Sequence, residues 1–362
     1  MRRVFIALFA LLLLLPGLQM LTHLIPVAPL DENRARAPFP RLAEPAELTA
    51  GLEKWFNDSY GLRDLLIRAK TQLDYSVFHT SDRVHIGRRG WFYYRSVIDQ
   101  QEPAVEALGD SNLDTAIGTF ARLRDWLGAR GIRLVVQTNQ MKDRFYPEFL
   151  PAEAGFARTR HRFDEFRARL ATLPGITYLD TTPLLLGLRR ERQVFHKTDF
   201  HWNDPAAFEA ARQLVDTLAG QEGLPVPFWK PRLRIIERRI SGGEAMFMPL
   251  FRLPTEDALF VAPDWDDSLM VHEYKLAPFE WRKTVREPHP PLLSPTVIYG
   301  DSFIDGMVRS GLASHFFRIS AARADSASLL DVLQALPKDT RTLVVEFIEV
   351  SLPSWVAMKL PD

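Results

Sequence analysis

Two short segments, far apart in the chain, carry residue types that together perform acyl transfer. One is Val297-Ile298-Tyr299-Gly300-Asp301-Ser302-Phe303, an apolar run that ends in glycine and delivers a serine. A serine just past the carboxyl end of a parallel strand stands in the crevice where such sheets place ligands. If a helix starts there, its free N–H groups and dipole can stabilise an oxyanion. The other is Lys197-Thr198-Asp199-Phe200-His201-Trp202-Asn203. Asp199 and His201, two apart in extended backbone, project to the same side. A carboxylate on one imidazole nitrogen fixes the tautomer and stabilises the imidazolium. Ser302, His201 and Asp199 therefore suit nucleophile, base and orienter. Other readings stay open at this point. Asp301-Ser302 can be a helix N-cap and Asp199 a turn cap. His196, Asp199 and His201 can hold a metal, but none is expected, because a third strong ligand is not evident locally. Trp202 is either core or a platform for a sugar ring, and Trp91, Tyr93 and Tyr94 are further aromatic platforms of that kind.

The elements around these segments must bring them together. From about residue 110 the pattern alternates. Leu113, Ile117, Phe120 and Leu127 share a helical face before the apolar strand Ile132–Gln137. A helix near 158–172 leads into a strand at Ile176–Leu179. Asn203 or Asp204 then caps a helix with Pro205 in its first turn and a stripe of Phe208, Ala211, Val215 and Leu218. The runs Thr296–Tyr299 and Thr342–Ile348 have the length of buried parallel strands. Such alternation predicts a mostly parallel sheet covered by helices. Upstream, Leu52, Trp55, Phe56, Leu62, Leu65 and Leu66 predict helix within 46–80, and Val84–Tyr94 reads as two short strands about a glycine turn. Residues 221–294 are proline-rich and irregular apart from strands near 233–240.

Lys+Arg and Asp+Glu both number 45, a balance that argues against a nucleic-acid partner. Cysteine is absent, which excludes disulfides, thiolate catalysis and thiolate metal sites. Arg2 and Arg3 precede the unbroken apolar run Val4–Leu15, an order that puts the N-terminus in the cytoplasm and the remainder outside. The nearest cleavage candidate, Pro26-Val27-Ala28, lacks a small first residue and is followed by Pro29. The expectation is an uncleaved, single-pass anchor over 1–25 in the inner (cytoplasmic) membrane, with the rest periplasmic. A linker over 26–45, a helical and hairpin segment over 46–105 and a catalytic domain over 106–362 complete the expected organisation.

Thr198-Asp199-Phe200-His201-Trp202 with a later Gly300-Asp301-Ser302-Phe303 resembles the AlgX/AlgJ-type alginate O-acetyltransferases, whose catalytic domain is SGNH-hydrolase-like. Trp55-Phe56-Asn57-Asp58-Ser59-Tyr60-Gly61-Leu62-Arg63-Asp64, the Ile86–Tyr94 hairpin and Lys142 followed by Tyr146-Pro147-Glu148 are similar to further motifs of that family, in the family's order. The resemblance implies a three-layer α/β/α fold. It implies Ser302 as nucleophile, His201 as base and Asp199 as its partner, in an order permuted relative to ordinary SGNH hydrolases. The Ser302 N–H, Asn139, Gln140 and the Gly242-Gly243 loop are the oxyanion donors to consider, with Lys142 and Trp202 as substrate-binding candidates. No cofactor is implied. A cell-surface or secreted polysaccharide is the implied acceptor, and a multi-spanning membrane O-acyltransferase the implied acetyl relay. Glu349-Val350-Ser351-Leu352 departs from the pattern by lacking an arginine at Val350. An extracytoplasmic carbohydrate esterase and a non-catalytic glycan-binding scaffold of an export complex are the competing functions.

Overall fold

The computed structural model describes residues 2–26, 30, 35–40, 45–154, 161–229, 234–262, 276–285 and 291–361. Val27-Ala28 of the cleavage candidate and most of the 26–45 linker lie outside these residues. The chain divides into two compact units, Met1–Asp82 with Met246–Leu253, and Arg83–Ala245 with Pro254–Asp362. The division falls between Asp82 and Arg83 rather than between 105 and 106. The hairpin 84–94 belongs with the sheet because the Phe92 N–H donates to Lys197 O at 2.8 Å and Trp91 stacks against Phe149 at 5.2 Å.

The first unit is helical. Its helix Arg2–Thr22 is long and apolar enough, by length and composition, to cross a bilayer. Helical recurrence over 46–80 resolves into Pro45–Ser59 and Arg63–Leu73, continued by a π turn over Asp74–Phe78. The break falls at Tyr60-Gly61, where a Cβ on Gly61 would run into the backbone of Pro16 and Met20.

The second unit is an α/β/α sandwich. Strands β1 (Val84–Ile86) and β2 (Phe92–Tyr94) form the hairpin. The main sheet contains β3 (Arg133–Asn139), β4 (Ile176–Asp180), β7 (Trp281–Thr284), β8 (Thr296–Gly300), β9 (Arg318–Arg323) and β10 (Thr342–Ile348), while β5 (Arg234–Ile240) and β6 (Glu256–Ala262) pair separately. The order is β4-β3-β10-β8-β9-β7, parallel throughout except for the edge strand β7. All seven residues of β10 are buried, as expected for a central parallel strand covered on both faces. Alternate residues feed opposite layers. Val135, Ile298 and Val344 pack with the helix Asp204–Gln221, whereas Leu134, Val297, Leu343 and Phe347 pack with Asp110–Gly128 and Arg162–Ala171. Asn203 caps the Asp204–Gln221 helix by accepting the Ala206 N–H at 3.1 Å. Strand β9 escapes sequence reading because its interior, Ile319-Ser320-Ala321-Ala322, carries a single bulky apolar side chain. Its small residues are nonetheless almost fully buried.

The parallel strands end at one edge of the sheet. β3 is followed outward by β4 and β8 by β9 in the opposite direction, so the crevice of an open α/β sheet opens beside the carboxyl end of β8.

Candidate active site

Strand β8 delivers Gly300-Asp301-Ser302 to this crevice, and the short helix Phe303–Arg309 begins directly after the serine. Asp301 folds the turn by accepting the Phe303 N–H at 2.9 Å and the Ile348 N–H at 2.8 Å.

Asp199 and His201 arrive on a tight loop closed by the antiparallel bridge between Phe195 and Trp202. The loop is fastened from several directions. Glu256 accepts the Lys197 and Thr198 N–H groups at 2.8 and 2.7 Å, and the Thr198 hydroxyl at 2.6 Å. Lys142 Nζ donates to the carbonyls of Lys197 and Asp199 at 3.2 and 2.9 Å and to Glu244 Oε2. Asp199 Oδ1 accepts the His201 N–H at 2.9 Å and lies 2.6 Å from His201 Nδ1, while Oδ2 accepts the Gly243 N–H at 2.6 Å. The other ring nitrogen, Nε2, is 2.6 Å from Ser302 Oγ. With Asp199 on Nδ1, the tautomer that satisfies both contacts carries its proton there and leaves Nε2 to accept from the serine. Phe200 stacks on the imidazole at 4.0 Å and Phe303 lies 5.2 Å away, giving the ring apolar walls.

Burial alone would raise the Asp199 carboxyl. The His201 hydrogen bond and charge, with the N–H groups of His201 and Gly243, outweigh it and hold the group far below the usual carboxylate range. His196 behaves oppositely: burial drives its ring below the ordinary histidine value, so it stays neutral. An open cleft of about 160 Å³ lies over Ser302 and His201, walled also by His196, Trp202 and Gly306. At its mouth Arg309 pairs with Asp204 at 3.1 Å, and Asp305 with Arg323 at 2.7 Å.

The remaining sequence candidates serve the scaffold. Asn139 is fully buried, donates to Glu346 Oε1 and accepts from Thr181 Oγ1 at 2.8 Å. Gln140 bridges Asp164 at 3.2 Å and Thr182 at 3.1 Å. The Gly242 N–H donates to Thr198 Oγ1 at 2.9 Å, and a Cβ on Gly242 would meet Thr198 O at 2.5 Å. None of these is aimed at an oxyanion; Gly242-Gly243 instead clasps the Asp199 loop. Trp202 borders the cleft, but it is 1% exposed, donates to Phe303 O at 3.1 Å and packs as core. Trp91 and Tyr93 are likewise buried rather than platforms. His196, Asp199 and His201 do not assemble as metal ligands, since Asp199 and Ser302 engage both His201 nitrogens. Among the described residues, the acidic groups gathered closely enough to hold an ion are Glu102, Asp143 and Glu349. Val350 packs against the core, and the neighbouring Glu349 takes its arginine from Arg144 at 3.0 Å. The loop anchors Glu244 and Glu256 were unreadable in the sequence, because distant segments that carry no motif supply them. Glu346 did leave a signal, as the one acid in an apolar strand run.

An α/β/α sheet that presents serine after one parallel strand and an Asp-x-His loop beside it is an SGNH-hydrolase-like domain. Residues 84–227 match the family model described as SGNH hydrolase-like domain, acetyltransferase AlgX. The chain is similar to the probable alginate O-acetylase AlgJ of Pseudomonas fluorescens, 30% identical over 177 residues that make up 49% of this chain and 44% of that protein. It is 28% identical to the probable alginate O-acetylase AlgJ of Pseudomonas aeruginosa over 223 residues, 60% of this chain and 54% of that one. The chain thus spans about half the length of these curated relatives. Among solved structures, Bacillus cereus PatB1 shares the fold with a TM-score of 0.50 at 13% identity, over 68% of this chain and 92% of its own.

Proposed function

We propose that this chain is a membrane-anchored, extracytoplasmic O-acetyltransferase that acetylates hydroxyls of an alginate-like polysaccharide through an acetyl-Ser302 intermediate. The observation that carries the reading is the continuous line Asp199 Oδ1 to His201 Nδ1 to His201 Nε2 to Ser302 Oγ, with 2.6 Å at each hydrogen bond. His201 Nε2 takes the Ser302 proton as Oγ bonds to the acetyl carbonyl carbon. The negative oxygen of the tetrahedral intermediate faces the Ser302 N–H, and the departing alkoxide recovers the proton from His201. In the second half a sugar hydroxyl gives its proton to His201 and attacks the acetyl-serine carbonyl, and as the bond to Ser302 Oγ breaks His201 returns the proton to that oxygen. Asp199 remains ionised throughout and steadies the imidazolium. The small cleft suits the acetyl group, and its open mouth admits a polymer from the side. The apolar Arg2–Thr22 helix would hold the enzyme at the membrane, where a multi-spanning O-acyltransferase could pass acetyl groups outward.

The test uses the full chain in detergent, an activated acetyl ester and oligosaccharide acceptors. Acetylated sugar should appear by mass spectrometry, and acetate release should fall as acceptor saturates. Undiminished acetate release, with no acetylated sugar across anionic and neutral acceptors, would replace transfer by hydrolysis. In the same assay Asp199→Asn, which favours the wrong tautomer, should lower kcat by about 10⁴-fold. Because the Asp199 carboxyl lies so far below the usual range, the wild-type acid limb should not report its protonation. A kcat for Asp199→Asn within tenfold of wild type would remove Asp199 from the mechanism.

A further inference from the structure

Behind Ser302 the sheet carries a carboxyl that the chemistry above leaves unused. Glu346 lies in β10 and is 1% exposed. Val345 pairs with Tyr299, which sets Glu346 alongside Gly300 in the next strand. Gly300 has no side chain, so the carboxyl can lie across it: a Cβ there would stand 2.5 Å from Glu346 Oε2. Oε2 accepts the Asp301 N–H at 3.1 Å, and Oε1 accepts from Asn139 Nδ2. The Asp301 carboxyl accepts the N–H groups of Phe303 and Ile348 at 2.9 and 2.8 Å. The peptide leading into Asp301 is therefore gripped by Glu346, and the peptide leaving Ser302 by Asp301.

We propose that Glu346 is a positioning residue for the nucleophile: its carboxyl, held by Asn139 and accepting the Asp301 N–H across Gly300, fixes the turn that carries Ser302. This rests on Ser302 being the nucleophile. The groups facing the pair are Gln137 and Asn139 from β3, and His201 and Arg323 on the Asp301 side. Loss of solvent, then the charge of Asp301, holds the Glu346 carboxyl well above its ordinary range.

The experiment follows labelling of Ser302 by phenylmethylsulfonyl fluoride in the full chain, where Oγ bonds to sulfur, fluoride leaves and His201 takes the proton. Mass spectrometry gives the limiting rate and the half-saturating reagent concentration. Glu346→Gln keeps an acceptor for the Asp301 N–H and should label within about tenfold of wild type. Glu346→Ala should lower the limiting rate by about a hundredfold, the scale of a small misplacement of a reacting group, with half-saturation unchanged. If the alanine variant does not fold by circular dichroism, Glu346→Asp, whose shorter side chain draws the carboxyl back from the Asp301 N–H, decides by the same fall in limiting rate. Wild-type limiting rates in a folded Glu346→Ala or Glu346→Asp overturn the proposal while leaving Ser302 as nucleophile. Absence of labelling in wild type overturns the nucleophile reading itself, and this inference with it.

Discussion

Ser302→Ala and His201→Ala should each reduce turnover of an activated acetyl ester by about 10⁴-fold or more, and the double variant should be no worse than Ser302→Ala alone. The reason is the geometry of a single proton path. The hydroxyl lies 2.6 Å from His201 Nε2. Without the imidazole its proton has no acceptor, and without the serine the imidazole has nothing to activate. Residues that act as one unit lose their effect together, so their penalties do not add. A drop of 10⁴ corresponds to about 5.4 kcal/mol of transition-state stabilisation. Both variants should keep the wild-type melting temperature to within a few degrees, since the two side chains are half-buried and lie at the cleft rather than in the sheet core. The measurement is initial-rate kinetics of the three variants beside wild type. Multiplicative losses in the double variant, or tenth-level activity in Ser302→Ala, would show that the two residues do not share a step.

That Ser302, His201 and Asp199 meet was legible before the fold because their types and spacing fit one hydrogen-bonded line. Ser302 follows an apolar run ending in glycine, and Asp199 and His201 are spaced to face one way. The parallel sheet was legible for a similar reason: Thr342–Ile348 and Thr296–Tyr299 are too apolar for an exposed strand. Illegible were the groups defined only by closure of the fold. Gly242 and Gly243 looked like free N–H donors, and nothing local said that Thr198 and Asp199 would fold onto them. Asn139 and Gln140 stand at a strand end beside the crevice, but Glu346 of β10 absorbs the Asn139 amide, and Asp164 and Thr182, on two flanking helices, absorb that of Gln140. Trp202 is next to the base in sequence. It points inward because its indole N–H is answered by Phe303 O, on the element that follows the nucleophile.

Lys142→Met should destabilise the protein by roughly 3–5 kcal/mol and slow acyl transfer, although Lys142 lies outside the cleft. Lys142 is 1% exposed, and its ammonium is coordinated by Glu244, by the carbonyls of His196, Lys197 and Asp199, and by the face of Tyr93 at 5.3 Å. Three of these partners belong to the loop that presents Asp199. Methionine fills the volume but takes the ammonium donor from the carbonyls of His196 and Asp199, leaves Lys197 O with the Phe92 N–H alone, and leaves Glu244 without a counter-charge. Burial already pushes the Glu244 carboxyl up to about 8 despite the attraction of Lys142. Without that attraction the folded carboxyl rises further, while in the unfolded chain it titrates near its ordinary 4.5. A raised folded value gives stability that is present at low pH and lost as pH climbs. The deficit of Lys142→Met relative to wild type should therefore widen above about pH 8, where wild-type Glu244 has ionised beside its lysine and the variant must keep it protonated. Glu244→Gln in the same background removes the charge and should recover much of the stability. It should not recover the rate, because the carbonyls around Asp199 remain without their donor and a small displacement of the orienter can cost about a hundredfold. Thermal unfolding at pH 6 and 9, run beside acetyl-ester kinetics, separates the two effects. A deficit independent of pH, or a double variant that regains full turnover, would mean that Lys142 only neutralises Glu244 and does not hold the Asp199 loop.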